Sequence, residues 1–304
     1  MLIRQGAFAG GEKLLKGALH CHTTRSDGRG SPEEVIRYHK AHGYDFMALT
    51  DHRKYNFQNY APDVEITIIP GMEFDNTFEN DKGFRCFHTV VIGPNDDTNG
   101  FSQDQTFDSG KAKNQEEYQP YLDWLHEKGN MTLYCHPEWS STPARYFEKL
   151  QGDFAMEIWN SGCAMENEMD TNAAYWDELL GQGKRIFGVA TDDGHAMNQH
   201  CRGWVMVRSA NNVPAILEAL RRGNFYSSCG PVIRDFYVED GKARLLCDPC
   251  SKIQFLCDCH PTGMRKGDGL TEAEIDLRGQ YRYIRACVVD EEGRRAWTNP
   301  IFLD

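Results

Sequence analysis

The sequence predicts an α/β fold, with a barrel-like first domain over residues 1–223 and an all-β module over residues 224–304. Apolar runs of strand length alternate with helical periods through the first two thirds of the chain, which implies a largely parallel sheet. Counting the runs at His20, Thr50, Glu73, His88, His136, Glu157 and Asp193 gives seven, and seven strands are what a closed or nearly closed barrel needs. From Phe225 onward no helical period of any length remains. Short alternating runs follow instead, and the turns Glu239-Asp-Gly241 and Glu291-Glu-Gly293 between them fit β-hairpins.

In chain order, residues 12–20 end in Leu-Leu-Lys-Gly-Ala-Leu-His20 and form the first strand. The stretch from Gly17 to Gly30 then carries His20, His22, Arg25 and Asp27 into a glycine-rich turn. Two histidines with one spacer project from the same face of an extended segment, a bidentate site for a divalent transition metal, and Asp27 can add a hard oxygen. Ser31-Pro-Glu-Glu34 reads as a capped helix start, with serine at the N-cap, proline at the first position and glutamate three after the cap; that helix stops at Gly43. Strands follow at Asp45–His52, Ile66–Glu73, His88–Gly93, Met131–His136, Phe154–Asn160 and Arg185–Asp193, with helices over Glu116–Lys128 and Asn167–Leu180. The segment 94–119 holds few apolar residues and reads as a long mobile loop, a lid or substrate-selecting element beside the His88 strand. Trp204–Arg208 adds a strand and Val213–Arg222 an amphipathic helix closed by Gly223.

Forty per cent apolar and 12% aromatic residues among 304 supply a sizeable core. A formal net charge of -12 argues against a nucleic-acid binder that grips phosphates through a basic face. No run approaches the roughly 20 apolar residues of a membrane span, and the amino terminus has no secretory h-region, so the expectation is a soluble cytoplasmic protein. Eleven cysteines, an odd number, are expected to be reduced thiols. Cys247, Cys250, Cys257, Cys259 and His260 can be written as a zinc site. Their irregular spacing and the strand-like alternation of Ile253–Cys259 favour free cysteines in a sheet.

His20, His22, Asp27, His52, Glu73, His88, His136, Asp193 and His195 all fall at or just beyond the carboxyl end of an expected strand. Any one of them is accounted for as a satisfied histidine or a helix cap. Six histidines and three carboxylates on one face are not, because partly buried polar groups need partners. Two to three divalent metal ions are the expected partners.

The motifs His20-Cys-His22 with Thr-Thr-Arg-Ser-Asp27-Gly, Thr50-Asp51-His52, Gly71-Met-Glu73, His88, Cys135-His136-Pro137 and Asp193-Gly-His195 resemble, in order, those of the PHP (polymerase and histidinol phosphatase) superfamily. Gly223-Asn-Phe-Tyr-Ser-Ser-Cys-Gly-Pro231 and Ala296-Trp-Thr-Asn-Pro300 are similar to the carboxyl-terminal part of stand-alone PHP hydrolases. The resemblance implies a distorted seven-stranded (β/α)7 barrel holding three metals. The first is held by His20, His22, Glu73 and Asp193. Glu73 bridges to the second, which takes His88 and His136. Asp27, His52 and His195 hold the third. One departure stands out: Asp192 occupies a position that is usually small in the family, so either Asp192 or Asp193 is the ligand. Asp51, Glu157, Asn160 and Asp192 are expected to orient the ligands.

The function expected is a metal-dependent phosphoesterase in which a metal-bridged hydroxide attacks a small phosphate ester. Arg25, followed by Arg53 and Lys54, is placed to hold phosphate oxygens, and His195 to protonate the leaving group. Manganese, iron or zinc suits such a site. The alternatives are a hydrolase of carboxylic esters, amides or carbamates, a nucleic-acid exonuclease that the acidic composition opposes, and a non-catalytic metal-binding PHP module. The substrate is expected to be a small molecule, with no nucleic acid and no membrane as partner. The oligomeric state and the role of the β module are open.

Overall fold

Proline and glycine punctuation, capping side chains and strand pairing together place the elements that build the site. The computed structural model describes residues 2–80, 83–94, 101–169, 172–258, 263–279 and 281–303. After a short edge strand β1 (Ile3–Arg4), β2 (Leu14–Ala18) leads into the histidine motif. Helix α1 (Pro32–Ala41) starts with the expected capping box: Ser31 Oγ accepts from Glu34 N–H, and Glu34 Oε2 accepts from Ser31 N–H at 2.8 Å. Its buried Val35 and Ile36 pack on Met47 and Leu49, in and just after β3 (Phe46–Ala48).

The expected Ile66–Glu73 strand is two strands. β4 (Thr67–Ile69) pairs with β3, and β5 (Gly71–Phe74) belongs to a different sheet. Pro70 lies at the break, where a residue without an N–H cannot continue a ladder. A hairpin that the sequence reading missed, β6 (Thr77–Asn80) and β7 (Gly83–Cys86), precedes β8 (Thr89–Ile92). The described part of the 94–119 segment is strapped down rather than a loose loop. Phe101 is 2% exposed and packs on Phe107 and Trp124, and Asn76 holds both backbone groups of Ala112. Residues 95–100 of that segment lie outside the described residues.

Helix α2 (Gln115–Glu127) and strands β9 (Met131–Tyr134) and β10 (Ala155–Asn160) follow. A short helix that was not expected, α3 (Ser161–Asn167), comes first, and the helix expected over 167–180 is α4 (Asn172–Gly181), which begins five residues later than expected. Asn160 caps α3 by accepting from Cys163 N–H, so that helix begins directly at the strand end. β11 (Phe187–Thr191), β12 (Trp204–Arg208) and α5 (Val213–Arg221) complete the first part of the chain.

The remainder is antiparallel: β13 (Phe225–Ser228), β14 (Ile233–Glu239), β15 (Lys242–Cys257), β16 (Met264–Asp276), β17 (Tyr283–Val289), β18 (Arg295–Thr298) and β19 (Ile301–Phe302). Asp240 and Gly241, both with positive φ, make the β14–β15 turn, and Gly293 serves the β17–β18 turn. β15 is longer than expected and joins two expected runs through an irregular stretch at Cys247–Cys250, where the two sulfurs lie 3.6 Å apart. Among the described residues no cysteine is in a disulfide; Cys259 and His260 lie outside the described residues.

No continuous closed barrel forms among the described residues. One sheet of twelve strands runs β1-β14-β15-β17-β18-β13-β12-β2-β3-β4, with β16 beside β15 and β19 beside β17 off that path, and a second runs β11-β10-β9-β8-β5. They meet at two seams, one marked by the bridge of Cys21 with Gly194 and the other by those of His52 with Glu73 and Asn56 with Gly71. Between them Leu15, Phe46, Val90, Leu133, Val189 and Val205 form one apolar core. The sheets are also less parallel than expected, since β8 is antiparallel to both β5 and β9, and β12 to β2. No described helix is long and apolar enough to cross a membrane.

Candidate metal centre

The two seams are where the ligand-type side chains gather. At the first, His22 N–H donates to Gly194 O and Asp193 N–H to His20 O, both at 3.1 Å, which sets the His20-x-His22 pair beside Asp193. At the second, Glu73 N–H donates to Thr50 O and Arg53 N–H to Glu73 O, bringing Glu73 beside His52. His88 does not sit at the carboxyl end of the strand expected to carry it. It precedes β8, at its amino end, and reaches the same rim because β8 runs antiparallel to its neighbours. His136 has a positive φ just past β9, as does Asp193 just past β11; both strands end where the side chains must turn inward.

Glu73 is the hub. Its Oε2 lies 3.4 Å from His20 Nε2, 3.3 Å from His22 Nε2 and 3.0 Å from His52 Nδ1. Its Oε1 lies 3.0 Å from His88 Nδ1 and 3.3 Å from His136 Nε2. Asp193 Oδ1 sits 2.9 Å from His22 Nε2 and 3.3 Å from His20 Nε2. Asp27 Oδ2 is 3.6 Å from His52 Nε2 and 3.4 Å from His195 Nε2. These donor atoms fall into three compact groups: His20, His22, Glu73 and Asp193; Glu73, His88 and His136; and His22, Asp27, His52 and His195.

Hydrogen bonds among the protein groups do not satisfy this cluster. His20 Nε2 and His22 Nε2 are 3.2 Å apart, and five imidazoles crowd the two oxygens of one carboxylate. Separations of this size are the edges of a coordination shell whose bonds are about 2.1 Å long. The donor set therefore fits divalent metals, with imidazole and carboxylate ligands mixed.

A buried outer layer orients the donors. Glu157 accepts from His20 Nδ1 at 2.7 Å and from His136 N–H at 2.8 Å, and Asn160 Nδ2 donates to Glu157 and to Asp193 Oδ2. His195 Nδ1 donates to Asp193 O at 2.9 Å, which leaves Nε2 facing Asp27. Ser140 partners His136 Nδ1 at 2.9 Å. Asp51 is fully buried and accepts from Thr23 and Ser26, which clamps the turn that carries Asp27. Asp192 turns away from the cluster: Cys201, Arg202 and Gly203 N–H donate to its carboxylate at 2.6, 2.9 and 2.7 Å. Asp193, not Asp192, faces the histidines.

In the metal-free chain, charge coupling dominates titration. Burial pushes His52 down, but the carboxylates of Glu73, Asp75 and Asp27 outweigh it and raise it to about 11. Burial likewise opposes His195, which Asp27 and Asp193 raise to about 9. Burial would raise Glu73, yet the surrounding imidazoles hold it well below the usual carboxylate range.

A cavity of about 360 Å³ opens over the cluster, lined by Asp27, His52, Glu73, His88, His136, Asp193 and His195 together with Arg29, Trp139, Glu166 and Gln199. The expected phosphate contacts are corrected here. Arg25 is absent from the cavity wall, because its guanidinium is taken up by Asp104, by Asp51 at 3.6 Å and by the Tyr55 carbonyl. Arg53 pairs with Asp75 at 2.7 Å, and Lys54 donates to Arg25 O. Arg29, which the sequence reading passed over, is the cation in the wall; its N–H donates to His195 O at 2.7 Å. Asp75 was also missed, although it lies two residues after Glu73 and so on the same strand face.

Two sheets meeting at a rim of six histidines and three carboxylates define the class: an α/β protein with a metal-binding centre at the seam. The PHP domain model matches residues 18–180, more than half of the chain, and the protein belongs to the PHP domain family. Among solved structures it is similar to a two-domain protein from Bacteroides vulgatus containing a predicted PHP-like metal-dependent phosphoesterase. That likeness has 14% identity and a TM-score of 0.50 over 95% of this chain and 96% of that one. It is also similar to an amidohydrolase from Chromobacterium violaceum (14% identity, 59% of this chain and 87% of that one, TM-score 0.42). A third is named as a metal-dependent phosphoesterase, from Bifidobacterium adolescentis (11% identity, 68% and 96%, TM-score 0.42). No curated protein matches.

Proposed function

We propose that this PHP protein is a metal-dependent phosphoesterase acting on a small molecule, with residues 1–223 as the hydrolase domain and 224–304 as the β module. The observation that carries the reading is the convergence of three donor groups on Glu73 and its neighbours, with the remaining ring nitrogens of His20, His136 and His195 already engaged. In this reading His20, His22, Glu73 and Asp193 hold one ion, Glu73, His88 and His136 a second, and Asp27, His52 and His195 a third. Bound divalent ions at such a site acidify a water and neutralise charge developing on phosphoryl oxygens. The chain's own groups do the positioning. Glu157 and Asn160 hold His20, His136 and Asp193 in place, and Gln199 Oε1 accepts from His195 N–H at 2.8 Å. Arg29 offers a guanidinium fork to the phosphoryl oxygens. His195 serves as a ligand here; its role as proton donor to the leaving group requires a free Nε2.

Hydrolysis of a carboxylic ester, amide or carbamate is favoured by one feature of the cavity. Arg29 is the single lysine or arginine among the described lining residues, and Glu166 stands in the same wall. Elemental analysis of protein purified without chelator, paired with phosphate release from mononucleotides, bisphosphates and sugar phosphates, separates the two readings. Two to three metals per chain and phosphate release that His22→Ala abolishes are the expected result. A loaded site with no phosphate released from any of them, and turnover of a carboxylic ester, would overturn it in favour of the second reading.

A further inference from the structure

The departure from the family pattern at Asp192 has a counterpart outside the catalytic cavity. Behind the rim, His39 of α1, Asp192 after β11 and His200 come together, all buried, with one donor atom from each lying within 4.8 Å of the others. None of the three lines the cavity. His39 Nδ1 donates to Val35 O at 2.8 Å, so its Nε2 carries the bare lone pair, buried and without a hydrogen-bond partner, 4.0 Å from Asp192 Oδ2. His200 is 2% exposed, and neither of its ring nitrogens has a hydrogen-bond partner. Its ring meets His39 edge-on with centroids 5.2 Å apart and lies over Gly194, where a Cβ would fall 2.4 Å from Nδ1. Three orphaned imidazole nitrogens in one buried spot are costly unless something occupies it.

We propose that His39, Asp192 and His200 form an additional, fully buried site for one divalent transition-metal ion, separate from the rim cluster and independent of the reaction catalysed there. The orienting layer that such a site needs is already built. The Val35 carbonyl sets the tautomer of His39, and the N–H groups of Cys201, Arg202 and Gly203 hold Asp192, with Cys201 kept at φ 63°. Two neutral imidazoles and one carboxylate in a dry enclosure suit four-coordinate zinc, with one position left for a water. His39 Nε2 and Asp192 Oδ2, 4.0 Å apart, need to close by about 0.6 Å to share a tetrahedral ion, a small side-chain rotation. The ion would tie α1, which follows the His20-x-His22 motif, to the segment that presents Asp193 and His195.

The test is anomalous diffraction at the zinc edge on crystals of the full chain equilibrated with zinc, together with metal counting. A peak among His39 Nε2, Asp192 and His200 is expected. The metal count should fall by one per chain in the His39→Leu/His200→Leu variant, while His22→Ala keeps the peak. Water-sized density without anomalous signal at that spot would overturn the proposal, whatever the rim cluster holds. The diffraction result uses the unaltered chain, so it stands even if the double variant does not fold.

Discussion

At the residue scale, the phosphate contact expected of Arg25 falls instead to Arg29, four residues further on. Arg25 is 9% exposed at its side chain and compensates buried Asp51, so Arg25→Ala should lower stability by roughly 1–3 kcal/mol, seen as a lower urea midpoint. Arg29 is exposed at the cavity wall, and Arg29→Ala should leave the midpoint unchanged while raising KM about tenfold, equivalent to roughly 1.4 kcal/mol of binding. An unchanged KM for the phosphate ester would remove Arg29 from the site. Nearly all of the histidines and carboxylates that gather at the rim could be named from the sequence, because their spacing survives any detail of sheet pairing. The arginine contacts could not, since a long flexible side chain is aimed by whichever carboxylate the fold brings near it.

At the scale of elements, two packing devices carry testable weight. The strap after β8 is anchored by Phe101, wedged among Tyr55, Phe107 and Trp124. Phe101→Ala should cost about 3–5 kcal/mol, measured by denaturant unfolding, where a freely moving lid would lose almost nothing. Strand β17 is tied to α4 by Arg285, whose Nε and Nη2 donate to Asp177 at 2.7 and 2.5 Å. Arg285 is 2% exposed, so Asp177→Ala strands a buried cation and should cost about 3–5 kcal/mol. The isosteric pair Asp177→Asn with Arg285→Met should recover most of that loss. Element existence was well signalled by caps and turns, as at Ser31 and Asp240. Strand direction was not, since an isolated apolar run reads the same parallel or antiparallel.

For the whole molecule, metal loading should invert the pH response. Without metal, His52 and His195 have folded-state values raised to about 11 and about 9, against an unfolded value of about 6.5. Their contribution is fully present below pH 6.5 and is lost as pH rises through 9 and then 11. The metal-free protein should therefore lose melting temperature across that range. Metal binding must displace those protons, so affinity should rise with pH, and calorimetry in buffers of different ionisation enthalpy should register proton release. A metal-free melting temperature that climbs from pH 6.5 to 9 would contradict this coupling.

The order of the ligand motifs, the capped first helix, the α/β character of the first part and the all-β end were determined by local sequence alone. Each rests on neighbours within a few residues: a cap, a period, a turn or a two-residue spacing. Tertiary structure decided the rest. Pro70 splits one apolar run between two sheets, and the reversal of β8 brings His88 to the rim from a strand's amino end. Asp192 and Asp193 part company because one side chain finds three backbone N–H groups while the other finds two imidazoles. His39 and His200, unremarkable on their own, meet only because α1 folds back over the end of β11. Such pairings range from Asp192 with Cys201, nine positions apart, to His39 with Asp192, more than a hundred apart, and no local pattern encodes them.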